Sequence, residues 1–83
     1  MDMRKLVGRN FSRLRKLNGF TQEKFAEASG FTQQYISGLE NGRRNPTVVT
    51  LFELANTLGV SHVALILPDE EFSRRPRAPK PKS

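Results

Sequence analysis

Glycines and hydroxyl residues punctuate this chain in alternation. Gly19, Gly30, Gly42 and Gly59 each follow a stretch of helix-compatible residues, and Thr21, Thr32, Thr47 and Ser61 stand where the next stretch begins. Glycine readily takes the left-handed conformation that stops a helix, and a Ser or Thr oxygen accepts from the unpaired N–H groups that start one. A chain cut in this way folds as a succession of short helices. The spacing predicts five, over 3–18, 22–29, 33–40, 48–58 and 62–67. Val7, Phe11 and Leu14 line one face of the first, up to Asn18. The second offers Phe25, Ala26 and Ala28, and the third Ile36 and Leu39. The fourth carries a stripe of Val48, Leu51, Leu54, Ala55 and Leu58, and the fifth is short and almost wholly apolar. No run alternates as a half-buried strand does, and Asn41-Gly42 follows a helical pattern rather than joining two strands. The expected fold is all-α, a compact five-helix bundle.

The bundle ends where prolines accumulate. Pro68, Pro76, Pro79 and Pro81 fall within 68–83, where Phe72 is the sole large apolar residue. Such a segment buries too little to fold. The expected organisation is therefore a folded domain at 1–67 and a disordered, basic, proline-rich tail at 68–83. With 83 residues and no cysteine, apolar packing alone must hold the domain, without disulfides or thiolate metal sites. No apolar run is long enough to span a membrane, and Met1-Asp2-Met3-Arg4-Lys5 leads into no secretory core, so a soluble, unprocessed, cytoplasmic protein is expected.

Charge narrows the function. The chain holds 14 Lys+Arg against 8 Asp+Glu, a net charge of +6, and the first helix carries Arg4, Lys5, Arg9, Arg13, Arg15 and Lys16. A polyanion is the expected partner, with a solvated helix face as the rival reading. An enzyme is not expected. A single His and scattered acids at Glu23, Glu27, Glu40 and Glu53 assemble no nucleophile with its base, no metal box and no phosphate cradle. His62 reads as a surface residue, and no metal or cofactor is expected.

Residues 21–42, TQEKFAEASGFTQQYISGLENG, read as a helix, a tight glycine turn and a second helix. A short helix presented this way fits the major groove of DNA, its first residues reaching base edges while the preceding helix crosses the backbone. Gln33 and Gln34 open that helix, and a Gln amide pairs with N6 and N7 of adenine or singly with other base edges. Their rival role is to satisfy the helix start, which Thr32 already caps. Tyr35 and Ser37 follow on the exposed side as further readers or phosphate contacts, with rim packing the alternative for Tyr35. Ile36 and Leu39 are core. Gln22 sits in the first turn of the preceding helix, where free N–H groups favour a phosphate. Arg43, Arg44 and Asn45 follow the reading helix and are expected on the DNA backbone, completed by Thr21, Thr32 and Asn41.

Arg15, Thr21-Gln22, Ala26, Gly30, Thr32-Gln33-Gln34, Ile36-Ser37, Leu39-Glu40-Asn41-Gly42 and Pro46 together resemble the Xre/Cro-type helix-turn-helix family, that of the lambdoid phage repressors and Cro proteins. The resemblance spans about 7–65. It implies a sequence-specific regulator of transcription that binds double-stranded DNA, a repressor on a palindromic operator bound as a homodimer. It also implies that the Gln22 side chain joins the phosphate contact and that Arg15 and Glu40 form a partly buried salt bridge between first and third helices; two separately solvated charges are the alternative. Two positions depart from the pattern: Thr47 stands where the phage repressors have a basic residue approaching the minor groove, and Gly38 where some relatives have a long polar base reader. Val63, Leu65, Ile66 and Leu67 crowd the fifth helix with apolar side chains, either as a two-fold dimer interface or as core. The run Tyr35-Ile36-Ser37-Gly38 also resembles controller proteins of restriction-modification systems. The reading from another class is an antitoxin-like module that wraps a protein partner.

Overall fold

The structure, a computed structural model, describes residues 2–68, so the expected tail lies outside the described residues apart from Pro68. Five helices follow one another: α1 (Met3–Leu17), α2 (Gln22–Ser29), α3 (Gln33–Glu40), α4 (Val48–Leu58) and α5 (Val63–Ile66). There is no strand among the described residues. Among the described residues no helix is long and apolar enough to cross a membrane, and no group of acids and histidines is placed to hold a metal ion.

The caps are those the sequence expects, with one exception. Thr21, Thr32 and Thr47 accept from the backbone N–H groups of Lys24, Tyr35 and Thr50, each at 3.0 Å. At the last helix His62 takes the cap position, with helical φ −59° and ψ −24° and no side-chain cap bond. Ser61 stands one residue earlier, and its Oγ accepts from the Val63 N–H at 3.2 Å. The expected helix over 62–67 is thereby shortened to one turn, because Leu67 has already turned extended at ψ 133°.

The core gathers Val7, Phe11 and Leu14 of α1, Phe25 of α2, Ile36 and Leu39 of α3, Leu54, Ala55 and Leu58 of α4, and Leu65 of α5. Phe25 stands edge-on to two rings, those of Phe11 at 4.9 Å and Phe20 at 5.4 Å between centroids, an arrangement that adds about 0.5–1.5 kcal/mol per pair to area burial. Two expected core residues stand outside. Val48 is 77% exposed, because the first turn of α4 projects past the bundle and its stripe is buried only from Leu54 on, with Leu51 half-covered. Ala28 is also exposed, one turn beyond Phe25 near the C-terminal end of α2.

Leu65 settles the fifth helix. It is wholly buried, which removes it from any dimer interface and places it in the core; Val63 and Ile66 remain exposed and Leu67 half-buried. The cause is Asn10, a buried polar residue of α1. Its Nδ2 donates to the carbonyls of Leu65 at 2.9 Å and Leu67 at 2.8 Å, while its Oδ1 accepts from Arg13 at 2.9 Å. Both bonds go to carbonyls at the C-terminal end of α5, which has no following turn to satisfy them.

On its other side α1 meets α3 through Gly8. A Cβ at that position stands 2.5 Å from the carbonyl oxygen of Leu39 and 2.9 Å from that of Glu40, both backbone atoms. Only glycine lets the two helices approach this closely. In an open helix Gly→Ala gains about 1 kcal/mol; here Gly8→Ala must push α3 away from α1. Thermal denaturation is expected to show a net loss of about 2 kcal/mol or more, and an unchanged or raised Tm removes the close contact.

Candidate nucleic-acid interface

Alpha-2, its turn and α3 are set by local chemistry. Gly30 ends α2 at φ 85°, a left-handed conformation natural to glycine, and its N–H donates back to Ala26 at 3.0 Å. Ser29 Oγ accepts from the Phe31 N–H at 3.2 Å. Phe31 then stacks on Tyr35, with centroids 5.1 Å apart and planes 19° from parallel. Phe31 precedes the Thr32 cap and Tyr35 lies one turn later, so the pair fixes the angle at which the chain enters α3. An aromatic just before a cap with another at helical spacing is the signal that reveals it.

The position of α3 against the body is set by a buried ion pair. Arg15 of α1 donates through Nε to Glu40 Oε2 at 2.5 Å and through Nη2 to Oε1 at 3.2 Å. The two side chains are 9% and 10% exposed. Arg15 Nη1 donates to the Phe20 carbonyl at 2.7 Å, and Gln22 Nε2 donates to Glu40 Oε1 at 3.1 Å. One carboxylate therefore ties α1, α2 and α3 together. Gln22, expected on a phosphate, spends its amide on this network and stands half-buried at the start of α2.

Gln33 and Gln34 are both exposed on the first turn of α3, while Ile36 and Leu39 face the core. Tyr35 and Ser37 are half-buried between them. Burial pushes the Tyr35 hydroxyl above its ordinary pKa, opposed by the Arg44 guanidinium, so the phenol is neutral at physiological pH and free to donate. Asn41 caps α3, its Nδ2 donating to the Ser37 carbonyl at 3.0 Å. The loop returns along the helix, with the Arg43 N–H donating to the Gly38 carbonyl at 2.9 Å. Arg43 and Asn45 are exposed, and the guanidinium of Arg44 lies 5.2 Å from the centre of the Tyr35 ring. Gln34, Ser37, Gly38, Arg43 and Arg44 border one shallow cleft. The structure brings the expected readers Gln34 and Ser37 and the cations Arg43 and Arg44 onto one surface, with Gln33, Tyr35 and Asn45 outside the cleft.

The Helix-turn-helix family profile matches residues 12–65. This chain belongs to the helix-turn-helix family. It is 66% identical over 71 residues to the uncharacterized HTH-type transcriptional regulator y4dJ of Sinorhizobium fredii, covering 86% of this chain and 92% of that protein. Among solved structures it is similar to the hypothetical transcription factor NHTF from Neisseria, with TM-score 0.83 and 30% identity over 88% of this chain and 84% of the other. It is also similar to the restriction-modification controller protein C.AhdI from Aeromonas hydrophila, with TM-score 0.71 and 32% identity over 75% and 94%. The helix-turn-helix unit proper, α2 to α3, carries the surface described above, and the fold is the family's.

Removing one partner of a buried ion pair costs about 3–5 kcal/mol, because the other charge is left stranded. Glu40→Ala abandons Arg15 and releases Gln22 together, so a loss of this size is expected in chemical denaturation. A surface-like change below about 0.5 kcal/mol contradicts the burial described.

Proposed function

We propose that this helix-turn-helix transcriptional regulator binds one double-stranded DNA sequence by placing α3 in the major groove, and that it represses by occupying a palindromic operator as a homodimer. The observation that carries the reading is the pairing of Gln33 and Gln34, exposed at the N-terminus of α3, with a buried Arg15–Glu40 bridge that fixes that helix against the body. Base edges are read only by side chains held in a defined register, and a helix anchored on its inner face supplies that register. Gln33 and Gln34 take adenine or mixed base edges, and Ser37 and Tyr35 approach a base edge or phosphate beside them. The N-terminal turn of α2 at Gln22, the hydroxyls of Thr21 and Thr32, and Asn41, Arg43 and Asn45 flank the helix on the phosphates. No cofactor enters this scheme.

The dimer surface we assign is smaller than the sequence alone suggests. Val63 and Ile66 are 43% and 39% exposed on α5, with Leu67 half-buried beyond them. Phe52 of α4, 57% exposed, lies 6.4 Å from the His62 ring at the start of α5. Exposed large apolar residues on adjoining helices fit a two-fold contact that sets the spacing of two half-sites. The likeness to C.AhdI favours a second reading, in which the chain is a controller of a restriction-modification system. High-affinity sites upstream of a methyltransferase or endonuclease gene select it. A toxin-like protein partner is the remaining rival, and binding to a single duplex sequence excludes it as the main role.

Gln34→Ala is expected to weaken binding to a selected duplex by about 1–3 kcal/mol while random duplex is bound as before. Arg43→Ala is expected to weaken every duplex alike and to lower the slope of log K against log salt by about one. Equal loss on both duplexes for Gln34→Ala overturns the reading of α3. For the dimer, the double change Val63→Glu with Ile66→Glu is expected to give a folded monomer in sedimentation, with operator affinity reduced to that of one half-site. Unaltered mass and affinity place the interface elsewhere.

A further inference from the structure

Gly38 lies on α3 one residue beyond Ser37, at a position where a side chain would project from the reading helix. The space is taken by another residue. A Cβ built on Gly38 stands 3.0 Å from Arg44 Nε, 3.4 Å from its Cγ and 3.6 Å from its Cδ. Arg44 therefore runs back from the loop across the surface of α3, and its guanidinium ends 5.2 Å from the centre of the Tyr35 ring. The ring is itself stacked on Phe31. Two surfaces thus hold Arg44: an aromatic face at its tip and a bare stretch of helix backbone beneath its stem. The hydrogen bond of 2.9 Å from the Arg43 N–H to the Gly38 carbonyl keeps the loop close enough for this reach.

We infer that Arg44 is a base-reading residue that recognises guanine in the major groove, standing in for the side chain absent at Gly38. This rests on the reading of α3 as the helix that enters the groove. A cation that grips phosphate stands at the rim of an interface, as the exposed Arg43 and Asn45 do. Arg43 and Arg44 both border the cleft with Gln34, Ser37 and Gly38, but it is Arg44 whose stem lies over Gly38 and whose guanidinium lies over the Tyr35 ring, on the face that meets base edges. Arginine offers two parallel donors to O6 and N7 of guanine, a pairing that needs a guanidinium of restricted orientation, and the Tyr35 ring on one side with Gly38 beneath the stem restricts it. Gln33 and Gln34 favour adenine, so Arg44 adds a base type that the two amides do not read well.

The test uses the full chain and the duplex that it selects from a random pool. Each guanine in a half-site is replaced in turn by 7-deazaguanine, which lacks the N7 acceptor. For the unaltered protein one such replacement is expected to weaken binding at least about fivefold. For Arg44→Ala that position is expected to become indifferent, and for Arg44→Lys, which keeps the charge without the fork, the penalty is expected to shrink. Arg43→Ala is expected to keep the penalty while losing affinity generally. Gly38→Ala supplies a check that leaves Arg44 in the chain: the added Cβ crowds the arginine stem and forces it to shift, and the penalty at that guanine is expected to shrink while the melting temperature does not fall. The inference is overturned if Arg44→Ala retains the full penalty, if Arg44→Lys behaves as the unaltered protein, or if the selected half-site contains no guanine. Failure of the unaltered protein to select any duplex overturns the reading of α3 itself, an outcome distinct from a loss confined to Arg44 variants.

Discussion

The Arg15–Glu40 ion pair is the contact on which the arrangement of the first three helices depends. Taking two charges out of water is costly, and such a pair adds little net stability over apolar residues of the same shape. Its effect is geometric. Glu40 ends α3, Arg15 belongs to α1, the Phe20 carbonyl lies in the connection between α1 and α2, and Gln22 opens α2. A carboxylate with these fixed donors admits one relative placement of the three helices, since any slide leaves a buried charge or carbonyl unsatisfied.

Alpha-1 serves as the platform for both ends of the domain. Toward α3 it presents Gly8, whose missing side chain sets the shortest distance between the helices. Toward α5 it presents Asn10, whose amide holds two carbonyls of a helix too short to persist alone. Neither residue is apolar, yet each decides where an apolar element packs. The bulk of the stabilising burial comes from Phe11, Phe25, Ile36, Leu39, Leu54 and Leu65, all almost wholly removed from water. In a domain with no disulfide, specificity of packing and its strength are thus supplied by different residues.

Much of the candidate site is legible in the sequence because it lies within a single helix and its cap. Gln33, Gln34, Ile36 and Leu39 sort onto opposite faces of α3 by periodicity, and the Thr32 cap fixes where that periodicity starts. What periodicity misses are the contacts between segments. Gln22 turns from the expected phosphate position toward Glu40, and Arg44 turns from the loop onto α3. In each case a neighbouring helix offers a partner that sequence spacing does not reveal: a carboxylate for Gln22, an aromatic face and a glycine gap for Arg44.

The sequence by itself determined the number of helices, their order and nearly all their ends, since caps and left-handed glycines act over a few residues and need no distant partner. Only the tertiary structure decided which apolar residues are core. Val48 and Leu65 look alike in the sequence, each an aliphatic residue in a helix; one projects past the bundle at 77% exposure and the other is wholly buried. Burial depends on which helix ends meet, and those meetings are set by Gly8, Asn10 and the Arg15–Glu40 pair acting across long stretches of chain. Local periodicity carries no information about such distances.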